Sequence, residues 1–279
     1  MAQAPINKII NFSSVDGPGN RMAIFLQSCP FKCWYCHNPE TIKLCIHCGD
    51  CVKTCPSDAL HMIDGKVVWN EANCTQCDTC IRTCKYSATP KIKTLNEHEL
   101  MSKVQEVKPF IKGVTVSGGE CMNHPEFLHA FFTLVKQEGL STLLDSNGFR
   151  RFADYPNLMS VTDGVMLDVK AFDPVFHQQL TGYDNTVVIQ NLKELLEAKK
   201  LQEVRIVILP NQEAQNENTV RKVSQIIQDK APLKLLRYRP FGVRDEGLRH
   251  LGFTNASLEE MNRCRELALS LGVTDIEIK

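Results

Sequence analysis

Eleven of the thirteen cysteines stand in three tight runs, and closely spaced thiolates are ligands for soft metals. The runs are Cys29-x3-Cys33-x2-Cys36, Cys45-x2-Cys48-x2-Cys51-x3-Cys55 followed by Pro56, and Cys74-x2-Cys77-x2-Cys80-x3-Cys84. Four thiolates around a cube of iron and sulfide make a 4Fe-4S site, so the second and third runs each offer a full ligand set. The first run is short by one. Three thiolates leave one iron without a protein donor, and a metal with an open position can take a small molecule, as catalytic zinc sites do. Electron chemistry with one site open to a ligand is therefore expected. A zinc knuckle with His37 as fourth donor is the competing reading, but adjacent Cys36 and His37 cannot easily converge on one tetrahedral ion.

These residues need a scaffold, and the chain is long enough for one large core plus a small satellite. Lysine plus arginine balances aspartate plus glutamate at 32 each, and no basic run stands out, which argues against nucleic acid or anionic lipid as partners. Residues 1–11 carry no basic region followed by an apolar stretch, and no apolar run reaches membrane-spanning length, so a cytoplasmic protein is expected. In a reducing compartment, such cysteine patterns point to metal or catalysis rather than to disulfides. Cys121 and Cys264 match no ligand pattern and read as small buried hydrophobes.

Residues 40–92 are rich in Cys, Asp, Thr and Lys and poor in long apolar periods, and they read as an insert. Leu60 to Trp69 suggests a hairpin turning at Asp64-Gly65. So small a unit buries too little apolar surface to fold without its metal. The expected division is a main domain of residues 1–39 and 93–279 and an insert of 40–92.

Strands are expected at Arg21 to Gln27, Gly113 to Val116, Thr142 to Leu144, Val165 to Val169, Val204 to Leu209 and Lys234 to Tyr238. Helical periodicity marks Pro125 to Glu138, Val187 to Lys200, Glu217 to Asp229 and Leu258 to Leu271. Val/Ile/Leu-rich strands alternating with helices indicate a parallel sheet and an α/β fold, a partial (β/α)6 TIM-like barrel of about six units. Function in such barrels lies at the carboxyl ends of the strands. There the chain reads Cys29 to Cys36, Ser117-Gly118-Gly119-Glu120, Asp145-Ser146-Asn147-Gly148 and Asp168-Val169-Lys170. Gly118 and Gly119 allow close approach to a ligand, and Glu120 offers a carboxylate to an ammonium group. Asp168 and Lys170 read either as a salt bridge on the barrel rim or as an acceptor and a positive charge for a ligand's hydroxyls and carboxylate.

With Tyr35 before Cys36, the first run resembles the C-x3-C-x-aromatic-C motif of the radical S-adenosylmethionine superfamily. The resemblance implies S-adenosylmethionine chelated at the open iron of the Cys29, Cys33, Cys36 cluster. It further implies reductive cleavage of the sulfonium to methionine and a 5'-deoxyadenosyl radical. Tyr35, Gly118, Gly119, Glu120, Ser146, Asp168 and Lys170 would contact the cosubstrate, with Glu120 in the segment that takes the methionyl amino group. A monovalent cation near Asp145, with Ser146 and Met166, is carried over from some relatives.

Asp16-Gly17-Pro18-Gly19-Asn20-Arg21 and Cys36-His37-Asn38-Pro39-Glu40 resemble the signature of the glycyl-radical enzyme activating enzymes. The insert directly after this second segment, Asp64 to Asn70, Cys77-Asp78-Thr79-Cys80 and Leu180-Thr181-Gly182 resemble the YjjW branch of that family. The implied activity is a radical SAM oxidoreductase that abstracts the α-hydrogen of a glycine in a partner, a YjjI-like glycyl-radical enzyme. Asp16 would meet the partner's loop, although Asp16 to Gly19 also reads as a tight turn. The family's Tyr-His-x-x-Gly stretch here is Tyr238-Arg239-Pro240-Phe241-Gly242, and Arg239 cannot serve as a neutral acceptor.

In ferredoxins of this pattern the fourth cysteine of each run ligates the other cluster. A ferredoxin-like two-cluster insertion is thus expected, with one set of Cys45, Cys48, Cys51 and Cys84 and another of Cys74, Cys77, Cys80 and Cys55. Three 4Fe-4S clusters result, fed by a flavodoxin or ferredoxin, the inserted pair either relaying electrons or holding the insert folded. The alternative function is a three-cluster electron carrier or oxidoreductase subunit without radical chemistry. Such a carrier would be expected to complete its first cluster with a fourth cysteine.

Overall fold

The computed structural model describes all 279 residues. In chain order the strands and helices are β1 (Gln3–Ser13), β2 (Arg21–Leu26), β3 (Leu60–Ile63), β4 (Lys66–Trp69), α1 (Thr79–Thr83), β5 (Lys93–Asn96), α2 (Glu97–Val107), β6 (Gly113–Gly118), α3 (Pro125–Gln137) and β7 (Ser141–Ser146). There follow α4 (Pro156–Ser160), β8 (Gly164–Asp168), α5 (Pro174–Thr181), α6 (Thr186–Glu197), β9 (Leu201–Ile208), α7 (Glu213–Ile227), β10 (Leu233–Arg237), α8 (Asp245–Leu251), α9 (Leu258–Ser270) and β11 (Ile276–Ile278).

Nine strands form one sheet in the order β11-β10-β9-β8-β7-β6-β2-β1-β5. From β2 to β11 every neighbouring pair is parallel, while β1 pairs antiparallel with both β2 and β5. The order never returns to its start, so β11 and β5 are free edges and the sheet is open, consistent with a partial barrel. All six expected strands are present. A seventh parallel strand, β11, and the antiparallel β1 and β5 were not anticipated. β11 has three residues and β5 four, too short for a periodic signal, and β1 is interrupted by Pro5 and by two shifts of register against β2.

Alternation along the strands divides the sheet into two faces. Ile24, Val116, Leu144, Val165, Leu167, Val204, Ile206 and Leu233 join the helices in a core of 53 buried apolar residues, whereas the insert's own core has four. At about 1.5–3 kcal/mol per fully buried large side chain, the larger core supplies most of the apolar stabilisation. The opposite face carries the sheet's polar side chains: Arg21, Thr115, Ser117, Asp145, Asp168, Glu203, Arg205 and Lys234 project there and are hydrogen-bonded or ion-paired to one another, to Lys170 or to nearby backbone.

α2 is started by a capping box, in which the Asn96 side chain accepts from Glu99 N and the Glu99 carboxylate accepts from Asn96 N. The insert contains the expected hairpin, β3 against β4, turning at Asp64-Gly65 with both residues at positive φ, the signature of a tight two-residue turn. Two of its four buried core residues, Cys51 and Cys80, are cysteines. Lys43 N donates to Ser87 O at 2.9 Å, pinning the two ends of the insert together. No helix is long and apolar enough to cross a membrane.

Candidate active site

The parallel strands deliver β2, β6, β7 and β8 to one end of the sheet, and the cysteine loop 29–36 lies across it. Ser28, at a φ of 81°, turns the chain out of β2. Backbone bonds then hold the loop on two sides: Cys29 N donates to Ile42 O at 3.0 Å, Lys32 N to Thr181 O at 2.8 Å and Trp34 N to Leu180 O at 3.0 Å. The segment after β10 closes a third side. Arg244 Nη2 donates to the carbonyl oxygens of Lys32 at 2.9 Å and Cys33 at 3.3 Å, and the Trp34 ring stacks on His250 at 3.9 Å. Gly247 makes this closure possible, because a Cβ there would lie 1.8 Å from Trp34 O.

Cys29, Cys33 and Cys36 are thus fixed at the end of the sheet with no fourth cysteine among them. The nearby Cys121 thiol donates to the Asp145 carbonyl at 3.4 Å. His37 Nε2 donates to the Arg239 carbonyl at 2.8 Å, so that nitrogen is spent and the zinc-knuckle reading loses it as a donor. Burial pushes the thiols up, Cys33 to about 12 despite the Lys170 ammonium, so a bound metal must displace their protons. Three soft donors with one position open fit an iron-sulfur cube. Throughout the chain, no three His, Cys, Asp or Glu side chains converge closely enough for a single ion.

Lys170 and Asp168 stand beside these thiols, Nζ to Oδ2 at 2.6 Å, with Lys170 Nζ 5.5 Å from the centroid of Tyr35. Burial works against the Lys170 ammonium, but Asp168, Tyr35 and Cys33 outweigh it and keep its pKa well above the usual value. The glycine turn packs directly on the cysteine loop. Gly119 N donates to Leu26 O at 2.9 Å, and a Cβ on Gly119 would lie 2.2 Å from Ser28 O; Gly118, at positive φ, is equally close to Leu26. Glu120 is buried behind this turn. Its carboxylate accepts from Ser146 Oγ at 2.7 Å, Asn147 N at 2.8 Å and Met122 N at 2.9 Å, so both oxygens are taken inside the protein.

Sequence comparison decides the family. The Radical SAM superfamily matches residues 23–223. The choline trimethylamine-lyase activating enzyme of Oleidesulfovibrio alaskensis is 34% identical, over 74% of this chain and 73% of its own. A Haemophilus influenzae protein named as a glycyl-radical enzyme activating enzyme is 32% identical, over 98% of this chain and 95% of its own. This chain belongs to the glycyl-radical enzyme activating enzymes. They are radical SAM enzymes that use S-adenosylmethionine and a 4Fe-4S cluster to make a radical on a glycine of a partner enzyme. Among solved structures, QueE from Escherichia coli shares the fold at a TM-score of 0.55 and 14% identity, over 99% of this chain and 94% of its own.

In this activating enzyme the other predicted residues fall in two places. Within the insert, Cys45, Cys48, Cys51 and Cys84 line one cavity, and Cys55, Cys74, Cys77 and Cys80 line a second, with Cys80 also bordering the first. The exposed Cys77 thiol is lowered to about 7, chiefly by the hydroxyl and N–H of Thr79. Cys84 also borders a cleft shared with His37, Glu40 and Arg244. Asp16 is elsewhere: its carbonyl accepts from Thr115 Oγ1 at 2.6 Å, halfway along β6, whereas the cysteines lie at the carboxyl ends of the strands. Its carboxylate accepts from Ser13 Oγ.

Arg205 and Arg244 escaped sequence reasoning at this site, and Asn147 is legible there only as part of a polar strand end. Arg205, on β9, lies 3.1 Å from the Asp145 carboxylate and donates to Met166 Sδ at 3.1 Å. Asn147 donates to Cys29 Sγ at 3.5 Å, and Arg244 clamps the loop. Only Asn147 had a local signal, its place beside Ser146 at a strand end. Arg239 is exposed and contributes its backbone carbonyl to His37.

Proposed function

We propose that this chain reductively cleaves S-adenosylmethionine at the Cys29, Cys33, Cys36 site and installs a glycyl radical on a YjjI-like partner enzyme. One observation carries the reading: three thiolates without a fourth, set at one sheet end with the Gly118-Gly119 turn and the Lys170–Asp168 pair around them. When bound, the cluster supplies the electron that breaks the carbon–sulfur bond of the cosubstrate. Lys170 offers charge to the methionyl carboxylate, and Asp168 accepts from ribose hydroxyls. The glycine backbone and Ser146 face the amino end, with Glu120 holding them in place, and Tyr35 packs beside Lys170. Ser117 and Arg205 both bind Asp145 through Oδ2, which leaves Oδ1 for a monovalent cation.

The partner's glycine loop is proposed to run along the polar inner face from Asp16 to the cysteines, roughly 10 Å over three strand residues. Glycine suits this loop, because nothing but hydrogen covers its α-carbon. The sequence features shared with the YjjW branch support that narrower placement, and the reduced thiols it requires suit the cytoplasm.

The insert, residues 40–92, is proposed to be a ferredoxin-like unit with two further 4Fe-4S clusters, bringing the total to three. The two cysteine-lined cavities support this, each matching one crossed ligand set. Electrons from a flavodoxin or ferredoxin would enter at the Cys55, Cys74, Cys77, Cys80 set. They would pass through the Cys45, Cys48, Cys51, Cys84 set, which lies toward the cysteine loop: Ile42 O bonds Cys29 N, and Cys84 shares a cleft with His37.

The test is anaerobic incubation of reconstituted protein with dithionite, S-adenosylmethionine and a candidate glycyl-radical enzyme. Expected are 5'-deoxyadenosine and a glycyl doublet in the electron paramagnetic resonance (EPR) spectrum, both lost in Cys33→Ala. Failure to release 5'-deoxyadenosine from iron-replete protein would leave the three-cluster carrier as the better description.

A further inference from the structure

Asn147 donates its side-chain amide to Cys29 Sγ at 3.5 Å, and the protein leaves that amide little freedom to do otherwise. Asn147 Oδ1 accepts from Phe149 N at 3.0 Å, so the oxygen is committed and the nitrogen faces the sulfur. Its backbone N–H is held by Glu120 Oε2 at 2.8 Å. Glu120 in turn donates its own N–H to Ser28 O at 2.8 Å, and Ser28 precedes Cys29. The ends of β2, β6 and β7 are thereby tied in a closed circuit, Ser28 to Glu120 to Asn147 to Cys29. Asn147 is 6% exposed, so water barely competes for its amide.

We propose that Asn147 is a positioning residue for reduction, its amide N–H setting the potential of the cluster held by Cys29. This rests on reading the first cysteine run as a cluster site. A cluster gains negative charge when it takes one electron from a low-potential ferredoxin, flavodoxin or dithionite. A donor aimed at a ligand sulfur stabilises that added charge, and hydrogen bonds to the sulfurs are among the known determinants of cluster potential. The bond therefore makes reduction easier. Glu120 acts through Asn147, and its internal hydrogen bonds give its carboxylate a role that needs no contact with the cosubstrate.

The experiment is a potentiometric titration followed by EPR on anaerobically reconstituted full-length protein, the barrel signal being the one that changes when S-adenosylmethionine is added. Asn147→Leu is expected to move the midpoint to a more negative potential with iron and sulfide content unchanged. An unchanged midpoint at unchanged iron content overturns the proposal. Should the leucine variant fail to hold iron, the unsubstituted protein decides the matter. With asparagine labelled by nitrogen-15 in the side-chain amide alone, pulsed EPR should show nitrogen coupling to the reduced barrel cluster, and no coupling overturns the proposal. If S-adenosylmethionine leaves every signal unaltered, the cluster reading itself fails, an outcome distinct from a missing coupling in protein that does respond.

Discussion

The Arg205 guanidinium lies 3.1 Å from the Asp145 carboxylate on the inner face of the sheet, both side chains almost fully buried. Burial opposes both charges, raising the carboxyl pKa of Asp145 and working against Arg205, but the pairing with Asp145 and Glu203 wins at the guanidinium and keeps it charged. Removing one partner would strand the other's charge in a place water barely reaches. Arg205→Met is expected to destabilise the protein by about 3–5 kcal/mol, the usual cost of breaking a buried pair. Adding Asp145→Leu should recover much of that loss. Denaturant unfolding of the two single variants and the double variant checks this, and additive losses would show that the pair is not coupled.

Gly119 sits where β6 meets the cysteine loop, with no room for a methyl group beside Ser28 O. The obstacle is backbone, which cannot swing aside as a flexible side chain would. Gly119→Ala is therefore expected to cost about 3 kcal/mol and to lower iron retention at Cys29. Thermal unfolding and iron analysis of the same preparation read both effects; a variant with unaltered melting and iron would contradict the packing described.

Arg244 reaches back over about two hundred residues of sequence to hold two carbonyls of the cysteine loop, whereas Arg239, on the same segment, is exposed. Charged hydrogen bonds contribute about 1.5–3 kcal/mol each. Arg244→Ala should accelerate iron loss to a chelator, while Arg239→Ala should leave the rate unchanged, since only its backbone carbonyl is used. Equal rates for the two variants would argue against a clamp.

Metal removal should act unevenly along the chain. The insert's core of four buried residues includes two cysteines, while the main core has 53 residues. Chelation is expected to expose the insert, residues 40–92, to limited proteolysis and leave the barrel resistant. Cys77→Ser should slow 5'-deoxyadenosine formation driven by a ferredoxin or flavodoxin without changing the dithionite-driven rate. If both rates persist, the proposed relay through the insert fails.

Much of the molecule is legible in the amino-acid order, because its signals are local. Cysteine spacing is a covalent fact within a few residues, and the alternation of Val/Ile/Leu strands with amphipathic helices repeats through the barrel. What escapes such reading is short or non-local. β11 and β5 are too brief to show a period, and they become strands only because neighbours supply hydrogen-bond partners. Glu120 reads as a ligand from its neighbours Gly118 and Gly119. That Ser146, Asn147 and Met122 surround its carboxylate depends on the register of β6 against β7.

From sequence alone came the kinds of donor atoms, the missing fourth thiolate and the parallel architecture that gathers strand ends, since each is written in residue type and spacing. Tertiary structure alone decided which side chains face those donors. Arg205 meets Asp145, Asn147 meets Cys29, and Arg244 meets the cysteine loop across distances that no local pattern encodes. Hydrogen bonds and ion pairs at a sheet end are fixed by strand order and register, which the chain acquires only when its core closes.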